Sequence, residues 1–206
     1  MSLKINKKKF IYLISPNKIY TRFYKDLKEV LSAGTVSYFQ LRLKRYSLKN
    51  KILIGRKIKL ICKKNNVKFL VNDDPLLAKT LNADGCHLGQ KDTNISEARK
   101  IIGNKIVGVT CHNSIKLAKA AVKEKANYIA FGAFFLTKTK KVKYIATTKI
   151  LNKAKIMTKT PIVAIGGINN NNYKKLLLNN ANLLAISSYV WNNKKLKPIE
   201  AIENLK

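Results

Sequence analysis

Eight short apolar segments alternate along this chain with segments whose apolar residues have helical spacing. The strand-like segments are 10–15, 38–43, 69–72, 85–89, 105–111, 128–134, 161–166 and 183–188. Strands that alternate with helices predict a parallel sheet, because each helix returns the chain to the start of the next strand. Eight such units within 206 residues predict one domain, residues 1–206, folded as a compact α/β (βα)8 barrel, or TIM barrel.

The alternative for this pattern is an open, doubly wound parallel sheet. Such a sheet usually carries a glycine-rich turn after its first strand, and no such turn follows residues 10–15. Side chains suited to N-caps stand where the helices of the barrel should begin. The predicted N-caps are Ser47, Asp74, Asn94, Asn113 and Asn169, and the last helix is expected at about 198–205.

The formal net charge of +32 is the unusual feature of the composition. A strongly basic surface attracts polyanions, so nucleic acid is one class of partner to consider. The lysines, however, are spread along the whole chain, whereas a nucleic-acid groove favours arginines interleaved with aromatic residues. We therefore favour compositional drift with solvated, lysine-rich faces, and we do not expect a dedicated nucleic-acid surface.

Cysteine spacing and the length of the apolar runs indicate a cytoplasmic protein. Cys62, Cys86 and Cys111 form no CxxC pair, so no disulfide framework is expected. Cys86 and Cys111 lie in apolar strand-like runs, where buried thiols are expected, and this suits a reducing compartment. The apolar run at 10–14 is stopped by Pro16 and is too short for a signal peptide. No segment approaches the roughly 18 apolar residues of a membrane span, so no membrane partner is expected. The oligomeric state is left open, and a homo-oligomer is compatible with the sequence.

Polar side chains alternate with apolar ones at the end of the second strand. Because strand side chains point alternately to opposite faces, Gln40, Arg42 and Lys44 should project into the barrel mouth, where such barrels have their active sites. Two cations there need to be neutralised, and a phosphate ligand would do so because Arg binds its oxygens in a bidentate manner. The alternative is an internal salt bridge, for example to Asp73.

Carboxylates follow the third and fourth strands. Asp74 precedes Pro75 and should cap its helix, which leaves Asp73 and Asp92 at adjacent strand ends. Mg²⁺ prefers one or two carboxylates together with substrate oxygens, so this pair is the predicted metal site. The alternative is that all three aspartates cap helices.

The remaining strand ends carry hydroxyls, cations and glycines. Thr110 and His112 lie at the end of the fifth strand. His112 is either an acid–base group or a structural hydrogen-bonding residue, and His87 is expected to be structural. Phosphate commonly binds after strands seven and eight of these barrels, where glycine lets backbone N–H groups approach an anion. The alternative for the glycines is a tight turn. The candidate anion-binding residues in these loops are Thr137, Lys138, Thr139, Lys140, Gly167, Ser187 and Ser188.

Six motifs, each at a strand end, resemble those of thiamine-phosphate synthases along nearly the full chain. They are 40–44 (QLRLK), 72–73 (ND), 83–92 (ADGCHLGQKD), 108–112 (GVTCH), 137–140 (TKTK) and 164–168 (AIGGI). The resemblance implies the same barrel and a transferase of thiamine biosynthesis. Its small-molecule substrates would be hydroxymethylpyrimidine diphosphate and a thiazole phosphate.

The resemblance also implies a role for each candidate residue. Residues that would hold the pyrimidine diphosphate are Gln40, Arg42, Lys44, Asn72, Thr110 and Lys140, and those with a catalytic role are Arg42, Lys44, Thr110 and Lys140. Asp73 and Asp92 would bind Mg²⁺. Residues that would contact the thiazole phosphate are Thr137, Lys138, Thr139, Gly167, Ser187 and Ser188. Diphosphate would leave first, and the thiazole nitrogen would capture the resulting pyrimidine methylene cation.

Departures from the family pattern lie mainly on the thiazole side. Ala133 and Leu136 stand where prolines are frequent, and Asn180 stands where glycine is frequent. The nearest rival is a related, thiazole tautomerase-like branch of isomerases. That branch tends to lose the equivalents of Lys44, Asp92 and Thr139. This chain keeps all three, which favours the synthase.

Overall fold

Eight parallel strands close into a barrel. A computed structural model of the chain describes residues 9–136 and 144–205. The strands pair in chain order, and β1 also pairs with β8, which closes the sheet. The strands are β1 Ile11–Ile14, β2 Val36–Leu41, β3 Lys68–Asn72, β4 Gly85–Leu88, β5 Ile106–His112, β6 Tyr128–Gly132, β7 Ile162–Ile165 and β8 Leu183–Ile186. The predicted (βα)8 barrel is confirmed, and the open-sheet alternative is wrong.

Helices connect successive strands around the barrel. They are α1 Phe23–Ser32, α2 Leu48–Lys64, α3 Pro75–Thr80, α4 Ile95–Ile102, α5 Ile115–Lys123, α6 Thr148–Met157, α7 Tyr173–Leu178, α8 Ser188–Trp191 and α9 Pro198–Glu203. The last predicted helix is observed as α9, whereas the short α8 before it was not expected. Across residues 9–136 and 144–205, none of the helices is long and apolar enough to cross a membrane.

Three predicted N-caps are observed as hydrogen bonds. Ser47, Asp74 and Asn94 each accept a hydrogen bond from the backbone N–H three residues later, at the starts of α2, α3 and α4. These bonds satisfy backbone donors that the first helical turn leaves unpaired, and each contributes about 1 kcal/mol.

The other two predicted N-caps are wrong by a few residues. At α5 the cap is Ser114 rather than Asn113, because Ser114 Oγ accepts from Leu117 N at 3.3 Å. At α7 the helix begins only at residue 173. Asn169 instead closes an earlier turn, since its Oδ1 accepts from Asn171 N at 2.9 Å.

The apolar core has two layers, because strand side chains alternate between the barrel interior and the surrounding helices. Phe39, Leu41 and Leu43 are buried in the layer between strands and helices, as the alternation in β2 predicts. The interior layer is formed by Tyr12, Ile14, Leu70, Tyr128, Ala130, Val163, Leu183 and Ala185. Burial of each large apolar side chain contributes about 1.5–3 kcal/mol, so both layers hold the strand ends in fixed positions.

The three cysteines are buried free thiols, as expected for Cys86 and Cys111. Burial raises the pKa of Cys86 and of Cys111 to about 12. Because the thiolate is the reactive form, these side chains act as small apolar groups of the core rather than as nucleophiles.

Candidate active site

The end of β2 directs Gln40 inward and Arg42 to the rim of the mouth. Gln40 is only 2% exposed, and its Nε2 donates to Tyr12 Oη at 2.7 Å. The backbone N–H of Arg42 donates to Ser15 Oγ at 2.9 Å, and its guanidinium donates to Asn17 Oδ1 at 3.1 Å. The segment after β1 therefore positions the guanidinium of Arg42.

Lys44, Asp73 and Asp92 form a charged cluster where β2, β3 and β4 end. Lys44 Nζ lies 2.8 Å from Asp73 Oδ2, so the salt bridge raised as an alternative from the sequence is present. The carboxyls of Asp73 and Asp92 are close enough for each to shift the pKa of the other. Asp92 Oδ2 also accepts from Gly89 N at 2.7 Å, and a Cβ at Gly89 would meet that oxygen at 2.7 Å. Glycine at position 89 therefore leaves the space that the Asp92 carboxyl occupies.

The two carboxyls of this cluster differ in pKa. Burial by itself would raise the pKa of Asp73, but the hydrogen bonds with Lys44 and Asp92 and the Lys44 charge outweigh it, so the pKa lies below its ordinary value. Burial, the hydrogen bond to Asp73 and the Asp73 charge all raise the pKa of Asp92. Two carboxylates this close repel each other when both are ionised, which favours the binding of a cation between them.

The cluster fits a hard divalent cation that shares oxygens with a substrate. Mg²⁺ typically takes one or two carboxylates and fills its other positions with water and phosphate oxygens. Across the two described ranges, no group of three or more His, Cys, Asp or Glu side chains could hold a metal. Asp73 and Asp92 would therefore form a site with two protein carboxylates. Asp74 is engaged elsewhere, because its Oδ1 caps α3 at 2.9 Å from Leu77 N.

Thr110 on β5 is held from two sides. His87 Nε2 lies 2.8 Å from Thr110 Oγ1, and Gln90 Nε2 donates to the Thr110 backbone oxygen at 2.6 Å. His87 is buried, and burial lowers its pKa to about 4, although the charge of Asp73 acts in the opposite direction. The imidazole is therefore neutral at physiological pH and has the structural position that the sequence predicts for it.

His112 ends β5 with a φ of 51°, in the left-handed region that residues other than glycine seldom adopt. Its ring stacks on Tyr144, with ring centroids 4.4 Å apart and an interplanar angle of 29°. Asp73 has the same kind of backbone conformation, with a φ of 63°. Unusual backbone conformations thus occur at two strand ends of the mouth, as is common at functional sites.

Gly166 and Gly167 follow β7 with φ values of 106° and 63°. A Cβ at Gly167 would lie 2.4 Å from the Leu136 backbone oxygen, and one at Gly166 would lie 2.4 Å from Ala133 Cβ. Both positions therefore need glycine for the close approach of the segment after β6. The tight-turn alternative describes this local geometry, and phosphate binding by Gly167 stays a prediction.

Two serines follow β8 on the same side of the mouth. Ser187 Oγ donates to the Ser15 backbone oxygen at 3.2 Å, and Ser188 is the first residue of α8. The other predicted residues of this side, namely Thr137, Lys138, Thr139 and Lys140, lie outside the residues that the structure describes. Of the pyrimidine-diphosphate candidates, Lys44 and Asn72 line one pocket together with Asp73, whereas Arg42 is hydrogen-bonded to Asn17.

Sequence reasoning missed two tyrosines beneath the mouth. The hydroxyls of Tyr12 and Tyr128 are hydrogen-bonded to each other at 2.7 Å, and they link Gln40 to His87. A signal for them was available, because a tyrosine in a buried strand usually needs a partner for its hydroxyl.

A closed parallel barrel with cations and carboxylates at the carboxyl ends of its strands defines a (βα)8-barrel enzyme that acts on anionic substrates. The family model described as thiamine monophosphate synthase matches residues 11–190. The chain belongs to this family, and the sequence-based predictions of a transferase and of thiamine biosynthesis are confirmed.

Individual relatives agree with this assignment. The thiamine-phosphate synthase of Pelagibacter ubique is 66% identical, with 98% of each chain covered. That of Rhodospirillum centenum is 40% identical, with 89% of each chain covered. Among solved structures, thiamine phosphate pyrophosphorylase from Pyrococcus furiosus superposes with a TM-score of 0.85 at 27% identity, over 98% of this chain and 96% of that chain.

Proposed function

We propose that this chain joins hydroxymethylpyrimidine diphosphate to a thiazole phosphate, with thiamine phosphate and diphosphate as products. The observation that carries the proposal is the cluster of Lys44, Asp73 and Asp92 at the strand ends of a barrel of this family. Cations and paired carboxylates in one place suit a diphosphate that binds together with a metal ion.

Asp73 and Asp92 are the proposed ligands of Mg²⁺. Burial and the neighbouring Asp73 carboxyl both raise the pKa of Asp92, and a cation bound between the two groups would balance their negative charge. When bound, the ion would neutralise charge on the diphosphate as a Lewis acid. Asp74 has no part in this site, because it caps α3.

The cations of the mouth stabilise the departing diphosphate. As the bond between the methylene carbon and the diphosphate oxygen breaks, both electrons stay with the oxygen, and Arg42, Lys44 and Lys140 balance the growing negative charge. The hydrogen bond to Asn17 fixes the guanidinium of Arg42 for this task. Gln40, Asn72 and Thr110 complete the binding of the pyrimidine diphosphate in the proposal.

The thiazole phosphate binds on the other side of the mouth. Its proposed contacts are Thr137, Lys138, Thr139, Gly167, Ser187 and Ser188. The thiazole nitrogen supplies the electron pair of the new carbon–nitrogen bond to the cationic methylene carbon. Holding the two substrates side by side removes much of the entropic barrier to their reaction.

A coupling assay with the purified chain, Mg²⁺ and both substrates tests this proposal. We expect thiamine phosphate and diphosphate to form only when both substrates are present and to disappear with EDTA. Turnover that persists in EDTA would remove the metal from the proposal. A folded protein that makes no product would overturn the coupling itself, and isomerisation of a thiazole in its place would support the tautomerase-like rival.

A further inference from the structure

A chain of hydrogen bonds crosses the barrel interior from β2 to β5, beneath the mouth. Gln40 Nε2 lies 2.7 Å from Tyr12 Oη, which lies 2.7 Å from Tyr128 Oη. Tyr128 Oη lies 2.9 Å from His87 Nδ1, and His87 Nε2 lies 2.8 Å from Thr110 Oγ1. The two end residues, Gln40 and Thr110, are proposed substrate contacts, and every residue of the chain except Thr110 is buried.

The packing of the barrel interior accommodates this chain of hydrogen bonds. Gly108 lies opposite Tyr128 in the β5–β6 pairing, and a Cβ at Gly108 would lie 1.8 Å from Tyr128 Cζ. The His87 ring stacks on the Tyr128 ring at 5.7 Å and 14°, and Tyr12 meets Tyr128 edge-on at 5.6 Å and 87°. Packing therefore holds the three rings at hydrogen-bonding distance.

The available donors and acceptors determine which group donates in each of these hydrogen bonds. With Gln40 Nε2 as donor, Tyr12 Oη accepts, and its own proton goes to Tyr128 Oη. Tyr128 then donates to His87 Nδ1, and the single proton of the neutral imidazole lies on Nε2 and is donated to Thr110 Oγ1. Reversal between the two tyrosines would leave the buried Tyr12 proton without an acceptor, which is costly.

We propose that Tyr12, Tyr128 and His87 are positioning residues that tie the amide orientation of Gln40 to the hydroxyl orientation of Thr110. Because Thr110 Oγ1 accepts from His87, its own proton is available to donate to a ligand at the mouth. Gln40 keeps its Oε1 as an acceptor. The chain thereby fixes the donor and acceptor pattern that β2 and β5 present to the pyrimidine diphosphate, and in this respect the inference rests on the proposed function.

Tyr128→Phe tests the inference, because it breaks the chain at its centre and keeps the ring. Tyr38→Phe is the matched control, since the Tyr38 ring lies 5.8 Å from that of Tyr128 but its hydroxyl is not a link of the chain. We expect Tyr128→Phe to lower kcat/KM for the pyrimidine diphosphate about tenfold, the effect of one lost hydrogen bond, and Tyr38→Phe to change it less than about twofold. KM for the thiazole phosphate should stay unchanged in both variants.

Nitrogen NMR of the imidazole gives a readout that does not depend on turnover. The protein has 2 histidines, so the signals of His87 are assigned by comparison with His87→Gln. We expect His87 Nδ1 to be unprotonated and Nε2 protonated in the wild type, and the two tautomers to mix in Tyr128→Phe.

Two results would overturn the inference: the opposite tautomer in the wild type, or kinetics of Tyr128→Phe equal to those of Tyr38→Phe. If Tyr128→Phe does not fold, Tyr12→Phe decides in its place, because it breaks the chain one link earlier and should lower kcat/KM in the same way. An inactive wild type would overturn the proposed function, whereas the tautomer of His87 would still decide the direction of the chain.

Discussion

Lys44 Nζ lies 2.8 Å from Asp73 Oδ2, in a salt bridge between the residues that follow β2 and β3. The two side chains are 56% and 25% exposed, so water screens their attraction. An exposed ion pair of this kind contributes only about 0–1 kcal/mol. Breaking this ion pair therefore costs little free energy, and in the proposed function Lys44 would exchange Asp73 for a substrate phosphate while Asp73 would become available to a cation.

Replacement of Asp92 should impair the proposed metal site and leave the fold intact. Asp92→Ala removes one of two proposed carboxylate ligands, so we expect turnover to fall about 100-fold, in line with several kcal/mol of charge stabilisation by a bound metal. Glu124→Ala, at an exposed position after α5, is the control and should keep full turnover. Steady-state rates over a Mg²⁺ titration measure both effects. An unchanged Mg²⁺ dependence in Asp92→Ala would exclude Asp92 from the site.

Replacement of Lys140 should slow the step that releases diphosphate. The ammonium group is proposed to balance charge that grows on the leaving group, so Lys140→Ala should lower the single-turnover rate by about 10²-fold, as for one lost electrostatic contact in a transition state. Rapid-quench measurement of diphosphate release checks this rate. A variant in which only the affinity for the thiazole phosphate changes would place Lys140 on the other substrate.

The barrel could be predicted because it depends on local patterns. The eight apolar runs and the side chains that cap α2, α3 and α4 are readable within a few residues of sequence. The error at α5 has a local cause, since Asn113 and Ser114 are both suitable caps. β5 continues to His112 with a register shift after Thr110, and this extension decides where the helix begins.

The charged side of the mouth could also be predicted, whereas the interior chain could not. Strand alternation places Gln40 inside the barrel, but it does not identify the partner of its amide. That partner, Tyr12, bonds in turn to a residue 116 positions away in the sequence, Tyr128. Only the closed barrel brings these two hydroxyls together. The alternation of side chains within one strand does not predict which residues of distant strands will be in contact.

Because Gly108 and Tyr128 are in close contact, substitutions at the two positions should have strongly non-additive effects on the free energy of unfolding. Gly108→Ala places a Cβ where the Tyr128 ring lies, so we expect the free energy of unfolding to fall by about 3 kcal/mol through overpacking. In a Tyr128→Ala background the ring is gone, and the same change should cost less than about 1 kcal/mol. Urea unfolding of the four proteins measures this coupling. Additive effects would show that the ring does not occupy this space in solution.

Buried, neutral His87 should make the protein less stable in mild acid. Its folded pKa of about 4 lies below the ordinary 6.5, so as the pH falls below about 6.5 the unfolded chain takes up a proton that the folded chain does not. The free energy of unfolding therefore falls between about pH 6.5 and 4, by about 3 kcal/mol in total, and this contribution levels off below the folded pKa. His87→Gln is the comparison, because the carboxyls of Asp73 and Asp92 are common to both proteins and their contribution largely cancels in the difference. Urea unfolding at pH 7, 5.5 and 4.5 measures that difference. Equal slopes in the two proteins would mean that His87 takes up its proton over the same pH range in the folded and unfolded chains, so that folding does not lower its pKa.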